Sequence, residues 1–148
     1  MAIVSCLVDT NVLLRLTGKP DPHYPIVNSA MARLVAQGTA LYYTMQNIAE
    51  VWNVMTRPVH RNGLGLSIQE AETQVRAIES GLHLLPDSSA VYSEWRNLIV
   101  QYGDVGVRVH DARLAAAMIV HEVSHILTLN VADFTRFGGI SAVHPASV

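Results

Sequence analysis

With 148 residues, half of them hydrophobic and 15% charged, the chain is long enough for one packed core and too apolar for intrinsic disorder. A formal net charge of −2 excludes a global basic field as the means of holding nucleic acid or an anionic membrane surface. Nine of the ten basic residues are arginine, the residue suited to bidentate phosphate contacts at individual places.

Ile3 to Val8 is apolar and rich in β-branched residues, the signature of a buried strand. Asp9 interrupts it, Thr10 and Asn11 carry helix-start chemistry, and Val12 to Leu14 open a short helix. Lys19 to Pro25 reads as a polar loop. Ile26, Val27, Ala30, Met31, Leu34 and Val35 then recur at helical spacing up to Gly38. Ala40 to Tyr43 is a second strand, and Thr44 caps a helix with Met45, Ile48, Trp52 and Met55 on its buried face. Gln46, Glu50, Asn53 and Arg57 form a polar stripe along that helix, which Pro58 stops.

His60 to Leu66, with Asn62-Gly63 and Gly65, is a loop. Ser67 and Glu70 make a capping box for the next helix. Leu82 to Leu85 is a third strand, closed by Pro86, after which Ser88 or Ser89 caps a helix bearing Val91, Trp95, Leu98, Ile99 and Tyr102. Gly103 to Gly106 is a turn, Asp111 to His121 an alanine-rich helix, and Ile126 to Leu129 a fourth strand. Asn130 to Gly139 is loop or helical turn, and Ile140 to His144 a fifth strand. Helices interleaved with short apolar strands imply a three-layer α/β fold on a mainly parallel sheet, as a single domain over residues 1–148.

Cys6, the sole cysteine, cannot form an internal disulfide, which fits a reducing compartment. The N-terminus has no basic region of the secretory type, and no stretch reaches the roughly 18 apolar residues of a membrane span. The expected setting is the cytoplasm, away from membranes.

Four acids fall where this organisation can bring them together: Asp9 at the tip of the first strand, Glu50 in mid-helix, Asp111 at the start of the alanine-rich helix, and Asp133 after the fourth strand. A carboxylate at a buried strand tip is costly without a partner, and in open α/β sheets that tip is where ligands bind. Crowded carboxylates raise one another's pKa unless divalent cations neutralise them, and an all-oxygen donor set selects Mg²⁺ or Mn²⁺ over zinc. Such a site suits phosphodiester hydrolysis: one ion acidifies a bound water, and a second, about 3.5–4 Å away, steadies the leaving oxygen. Taken singly, Glu50 as a surface residue and Asp9 or Asp111 as an N-cap are the plain alternatives.

The segments VDTNVLLR (8–15), QNIAEVWNVMTRP (46–58), NGLGLS (62–67), HDARLAAAM (110–118) and HILTLNVADF (125–134) together resemble, in order and spacing, the PIN-domain ribonucleases and in particular their VapC-like toxin group. The resemblance implies an α/β/α sandwich with a five-stranded parallel sheet and Mg²⁺- or Mn²⁺-dependent endonucleolytic cleavage of single-stranded or structured RNA by in-line attack of water. It assigns Asp9, Glu50, Asp111 and Asp133 as the cation-holding catalytic acids, with Thr10, Asn11 and Asn130 as supporting polar residues. It further implies a toxin inhibited by a small antitoxin protein, and a homodimer. A non-catalytic RNA-binding module and a housekeeping RNA-processing nuclease are the competing expectations.

Arg57, His60, Arg61, Arg108 and Arg113 lie at the ends of the site-bearing helices or in their loops and are candidates for gripping RNA phosphates. Trp52 and Trp95 fall on apolar helix faces and read as core. His121-Glu122-Val123-Ser124-His125 matches the H-E-x-x-H zinc motif, which requires both histidines on one helix face; the β-rich run from Ile126 argues that the helix ends between them. Asp9-Thr10-Asn11 has Asn11 where a haloacid-dehalogenase-type phosphatase needs its second aspartate.

Overall fold

The computed structural model describes residues 2–17 and 20–148. Its framework is a five-stranded, all-parallel sheet in the order β3-β2-β1-β4-β5, with β1 at Ser5–Val8, β2 at Ala40–Thr44, β3 at His83–Leu85, β4 at His125–Leu127 and β5 at Ser141–Val143. Among the described residues six α-helices surround it: α1 (Thr10–Leu14), α2 (Tyr24–Ala36), α3 (Met45–Thr56), α4 (Ile68–Gly81), α5 (Ser89–Gln101) and α6 (Arg108–Val120). The α/β/α sandwich implied by the sequence is the fold the chain adopts.

Strand alternation explains the layers. Central β1 pairs with β2 on one side and β4 on the other, so Cys6, Leu7 and Val8 are all fully buried. Cys6 and Val8 point into the core shared with α1, α2, α3 and α4, through Val12, Leu34, Val51, Met55 and Val75. Leu7 and Ile126 point the other way, onto α5 and α6, where Leu98, Leu114, Met118 and the buried alanines lie. Those alanines (Ala112, Ala115, Ala116, Ala117) let α6 approach its neighbours closely. Burial pushes the Cys6 thiol up to about 12, so it is an inert core residue.

The chain steps from β1 outward through β2 to β3, then returns to place β4 on the opposite side of β1. That reversal leaves a crevice at the carboxyl ends of β1 and β4, the switch point at which open α/β sheets bind ligands. Asp9 and Thr128 follow directly on those two strands.

Several boundaries differ from the sequence reading. Lys19 lies outside the described residues, and Tyr24 and Pro25 already belong to the first turn of α2, where proline's missing N–H costs nothing. On α3, Met45 is exposed, Ile48 and Trp52 are only partly buried, and Val51 and Met55 form the apolar contact. Gln46 and Asn47 are buried instead: Asn47 bonds Thr44 and Thr10, and Gln46 bonds Glu50 and the His110 carbonyl. Helix α6 begins at Arg108, so Asp111 lies within its first turn and is not its N-cap; Val107 is.

The zinc motif does not form a helix face. α6 ends at Val120, Glu122 takes a left-handed φ of 58°, and His125 is in β4. The His121 ring contacts the Pro86 carbonyl at 2.9 Å, while His125 Nδ1 contacts Ser124 Oγ at 2.7 Å. Among the described residues no helix is long and apolar enough to cross a membrane.

Candidate functional site

The change from strand to helix after Val8 fixes Asp9. Its carboxylate caps α1, Oδ1 accepting from Thr10 N at 2.8 Å, so the plain N-cap role is real. Oδ2 has a different use: it accepts from Thr128 Oγ1 at 2.8 Å and from Asn11 Nδ2 at 3.3 Å. The Thr128 hydroxyl in turn accepts from Asn130 N at 3.0 Å and from Asn11 Nδ2 at 3.3 Å. With both lone pairs engaged, its proton is committed to Asp9. Asn11 Oδ1 accepts from Leu129 N at 3.1 Å, locking the segment after β4 to the start of α1. Asn130 joins this network through its backbone, whereas Thr10 binds Asn47 Nδ2 at 3.1 Å and so ties α1 to α3.

Glu50 projects from α3, where Gln46 Nε2 donates to its Oε1 at 3.0 Å. The same nitrogen donates to the His110 carbonyl at 2.9 Å, joining α3 to the first turn of α6 one residue before Asp111. Asp133 ends a short 3₁₀ turn, Val131–Asp133, and is exposed.

Electrostatically the four acids form one group. Asp9, only 8% exposed, has its carboxyl pushed up to about 6, first by burial and then, against the Thr128 and Thr10 hydrogen bonds, by the charges of Glu50 and Asp133. Asp111 is also pushed up to about 6, by burial and by the charges of Asp133, Asp9 and Glu50, with Arg136 opposing. Thus charges from separate segments, Glu50 on α3 and Asp133 after β4, act on both Asp9 and Asp111. Among the described residues, however, no three Asp, Glu, His or Cys side chains stand close enough to hold an ion between them as they are.

The donor chemistry nevertheless suits a hard divalent cation. Every candidate ligand is an oxygen, both raised carboxyls are relieved by added positive charge, and the buried Gln46 Oε1, on the amide that touches Glu50, has no hydrogen-bond donor.

Sequence reasoning missed a buried ion pair beside these acids. The Asp104 side chain is fully buried, with Arg136 Nε 3.1 Å and Arg108 Nε 3.6 Å from its Oδ1. The contact is coulombic, since neither Asp104 oxygen nor Arg136 Nε makes a hydrogen bond. Arg136 also donates to the Asp133 and Arg108 carbonyls and lies over the Phe137 ring, 4.1 Å from its centroid. A cation is thereby held beside Asp133 and within electrostatic reach of Asp111.

Of the five candidate phosphate-binding residues, Arg57, His60 and Arg61 lie at the end of α3 and in the turn after it, and Arg108 and Arg113 on α6. Arg57 Nη2 donates to the Asn62 carbonyl, Arg108 faces Asp104, and Arg113 pairs with Asp87 at 2.7 Å. His60 and Arg61 are exposed in the loop between α3 and α4.

Comparisons with known proteins agree with this architecture. No curated protein matches the chain in sequence. Its structure is similar to VapBC2 from Rickettsia felis bound to a promoter DNA fragment (TM-score 0.67, 17% identity, 95% of this chain and 98% of that one). It is similar as well to a toxin–antitoxin complex from Klebsiella pneumoniae (TM-score 0.66, 20% identity, 97% and 99%). A third such structure is Mycobacterium tuberculosis VapC20, a toxin that cleaves the sarcin–ricin loop (TM-score 0.61, 14% identity, 82% and 86%). Residues 6–139 match the PIN domain, and the chain belongs to that family.

Proposed function

We propose that residues 1–148 act as one nuclease domain, a divalent-cation-dependent endoribonuclease that serves as the toxin of a toxin–antitoxin pair. The observation that carries this reading is the coulombic action of Glu50 and Asp133 on both Asp9 and Asp111 at the switch point of a PIN-family sheet. Asp9, Glu50, Asp111 and Asp133 hold Mg²⁺ or Mn²⁺ directly or through water. When bound, such a cation supplies Lewis acidity and positive charge at the reacting phosphate. Thr128 and Asn11 keep Asp9 Oδ2 oriented toward the crevice, and Gln46 does the same for Glu50. A water attacks phosphorus in line, the bond to the 3′-oxygen breaks, a carboxylate oxygen of Asp111 takes the proton that the water loses, and the departing 3′-oxygen takes a proton from solvent. The products are 5′-phosphate and 3′-hydroxyl ends.

The toxin role draws on the toxin–antitoxin complexes among the structural neighbours. It brings with it a small inhibitory partner, a homodimer and work in the cytoplasm. His60 and Arg61, exposed beside the site-bearing α3, contact RNA phosphates.

Incubating purified protein with total RNA plus Mg²⁺ or Mn²⁺ tests the reading: discrete cuts, blocked by EDTA and absent in Asp9→Asn, are expected. Full activity of Asp9→Asn, or cutting that survives EDTA, would overturn it. A second reading, a non-catalytic RNA-binding module, is favoured by the lack of a ready-made three-ligand cage among the described residues. Cation-independent RNA binding without cleavage would establish it.

A further inference from the structure

Where α5 packs on the start of α6, a cavity of about 290 Å³ opens between Asp87, Val91, Tyr92 and Trp95 on one side and His110 and Arg113 on the other. Trp95 Nε1 donates to the Val109 carbonyl at 2.8 Å, which fixes the indole in the wall. Tyr92 meets Trp95 edge-on, with ring centroids 6.3 Å apart and planes at 63°, and remains 61% exposed. At the rim, Arg113 and Asp87 pair at 2.7 Å, placing a fixed donor group beside an acceptor group.

The cavity is linked to the acids through His110. His110, in its wall, immediately precedes Asp111, and the His110 carbonyl accepts from the Gln46 nitrogen that also bonds Glu50. An aromatic face with a charged donor–acceptor edge is the chemistry that recognises a base: stacking is tolerant of sequence, and edge contacts select. Resting on the ribonuclease reading, we propose that the cavity seats one unstacked base of single-stranded RNA next to the cut. Tyr92 supplies the stacking face and the Asp87–Arg113 pair meets the base edge.

The test titrates the four ribonucleoside 5′-monophosphates, with ribose 5-phosphate as the base-free control, into cation-free protein, following tryptophan fluorescence and ligand NMR. At least one nucleotide should bind more tightly than ribose 5-phosphate; Tyr92→Ala should weaken it about tenfold, and Tyr92→Phe should preserve it. On a randomised RNA, Tyr92→Ala should also relax the base preference beside the cut. Equal binding of nucleotides and ribose 5-phosphate, or unchanged affinity in Tyr92→Ala, would overturn the proposal. So would a change of oligomeric state in Tyr92→Ala in place of a change in nucleotide affinity, which would assign this face to protein contact. Tyr92-dependent nucleotide binding in a protein that cuts no RNA would sustain the base site and reject the nuclease; RNA cutting indifferent to Tyr92 would do the reverse.

Discussion

Thr128 Oγ1 donates to Asp9 Oδ2 at 2.8 Å, joining residues 119 positions apart across the gap between β1 and β4. Because Asn11 and Asn130 already fill the hydroxyl's acceptor capacity, no other orientation satisfies all three groups. Thr128→Val should therefore lower stability near neutral pH by about 2 kcal/mol, the scale of a hydrogen bond to a charged group. It should also raise the Asp9 pKa further, since that bond is among the interactions holding it down. Urea denaturation and carboxyl NMR titration measure the two effects.

Without added cation, stability should depend on pH in the sense opposite to a salt-bridged carboxylate. The folded protein keeps the Asp9 proton up to about pH 6, whereas the unfolded chain releases it near the ordinary value of 3.8. In that window the unfolded state binds fewer protons, so stability is fullest below it, falls as pH rises through it, and levels off above. For Asp9 the loss is on the order of 3 kcal/mol. Asp111 acts in the same direction. Thermal melts in EDTA between pH 4 and 8 should show the fall, and Asp9→Asn should flatten it. At pH 7.5, Mg²⁺ should raise the wild-type melting temperature.

The buried Asp104 carboxylate compensates Arg136, whose side chain is 16% exposed. Asp104→Asn leaves that guanidinium without its counter-charge and should cost about 3 kcal/mol. Removing both charges in Asp104→Asn with Arg136→Met should recover part of the loss, which a double-mutant cycle in urea reads directly.

Glu122 holds the left-handed position just past α6, a conformation that costs a side-chain-bearing residue about 1 kcal/mol. Glu122→Gly should raise stability by about 0.5–1 kcal/mol in denaturant titrations. It should leave zinc content negligible, because His125 belongs to β4.

The proposed acids stand out in the chain because each lies at a locally recognisable break: a carboxylate ending an apolar strand, a stripe on a helix, a first-turn acid. Asp9 announces itself in this way, and so in principle does Thr128, the polar residue ending the fourth apolar run. What could not be read is long-range pairing. Asp104 lies in a glycine-flanked turn and Arg136 in an irregular loop, and nothing in either neighbourhood predicts that folding buries one against the other. The inward turn of Gln46 and Asn47 was hidden for a related reason. Hydropathy assigns polar side chains to solvent, whereas here tertiary hydrogen bonds to Thr10 and the His110 carbonyl draw them in.

The claim on which the account rests is that carboxylates from separate segments share one cation. Titrating Mn²⁺ into the protein under electron paramagnetic resonance, for wild type, Asp9→Asn and Asp111→Asn at pH 7.5, addresses it most directly. Saturable binding in the wild type, weakened at least tenfold by either substitution, is the expected result; wild-type affinity in both variants would contradict it.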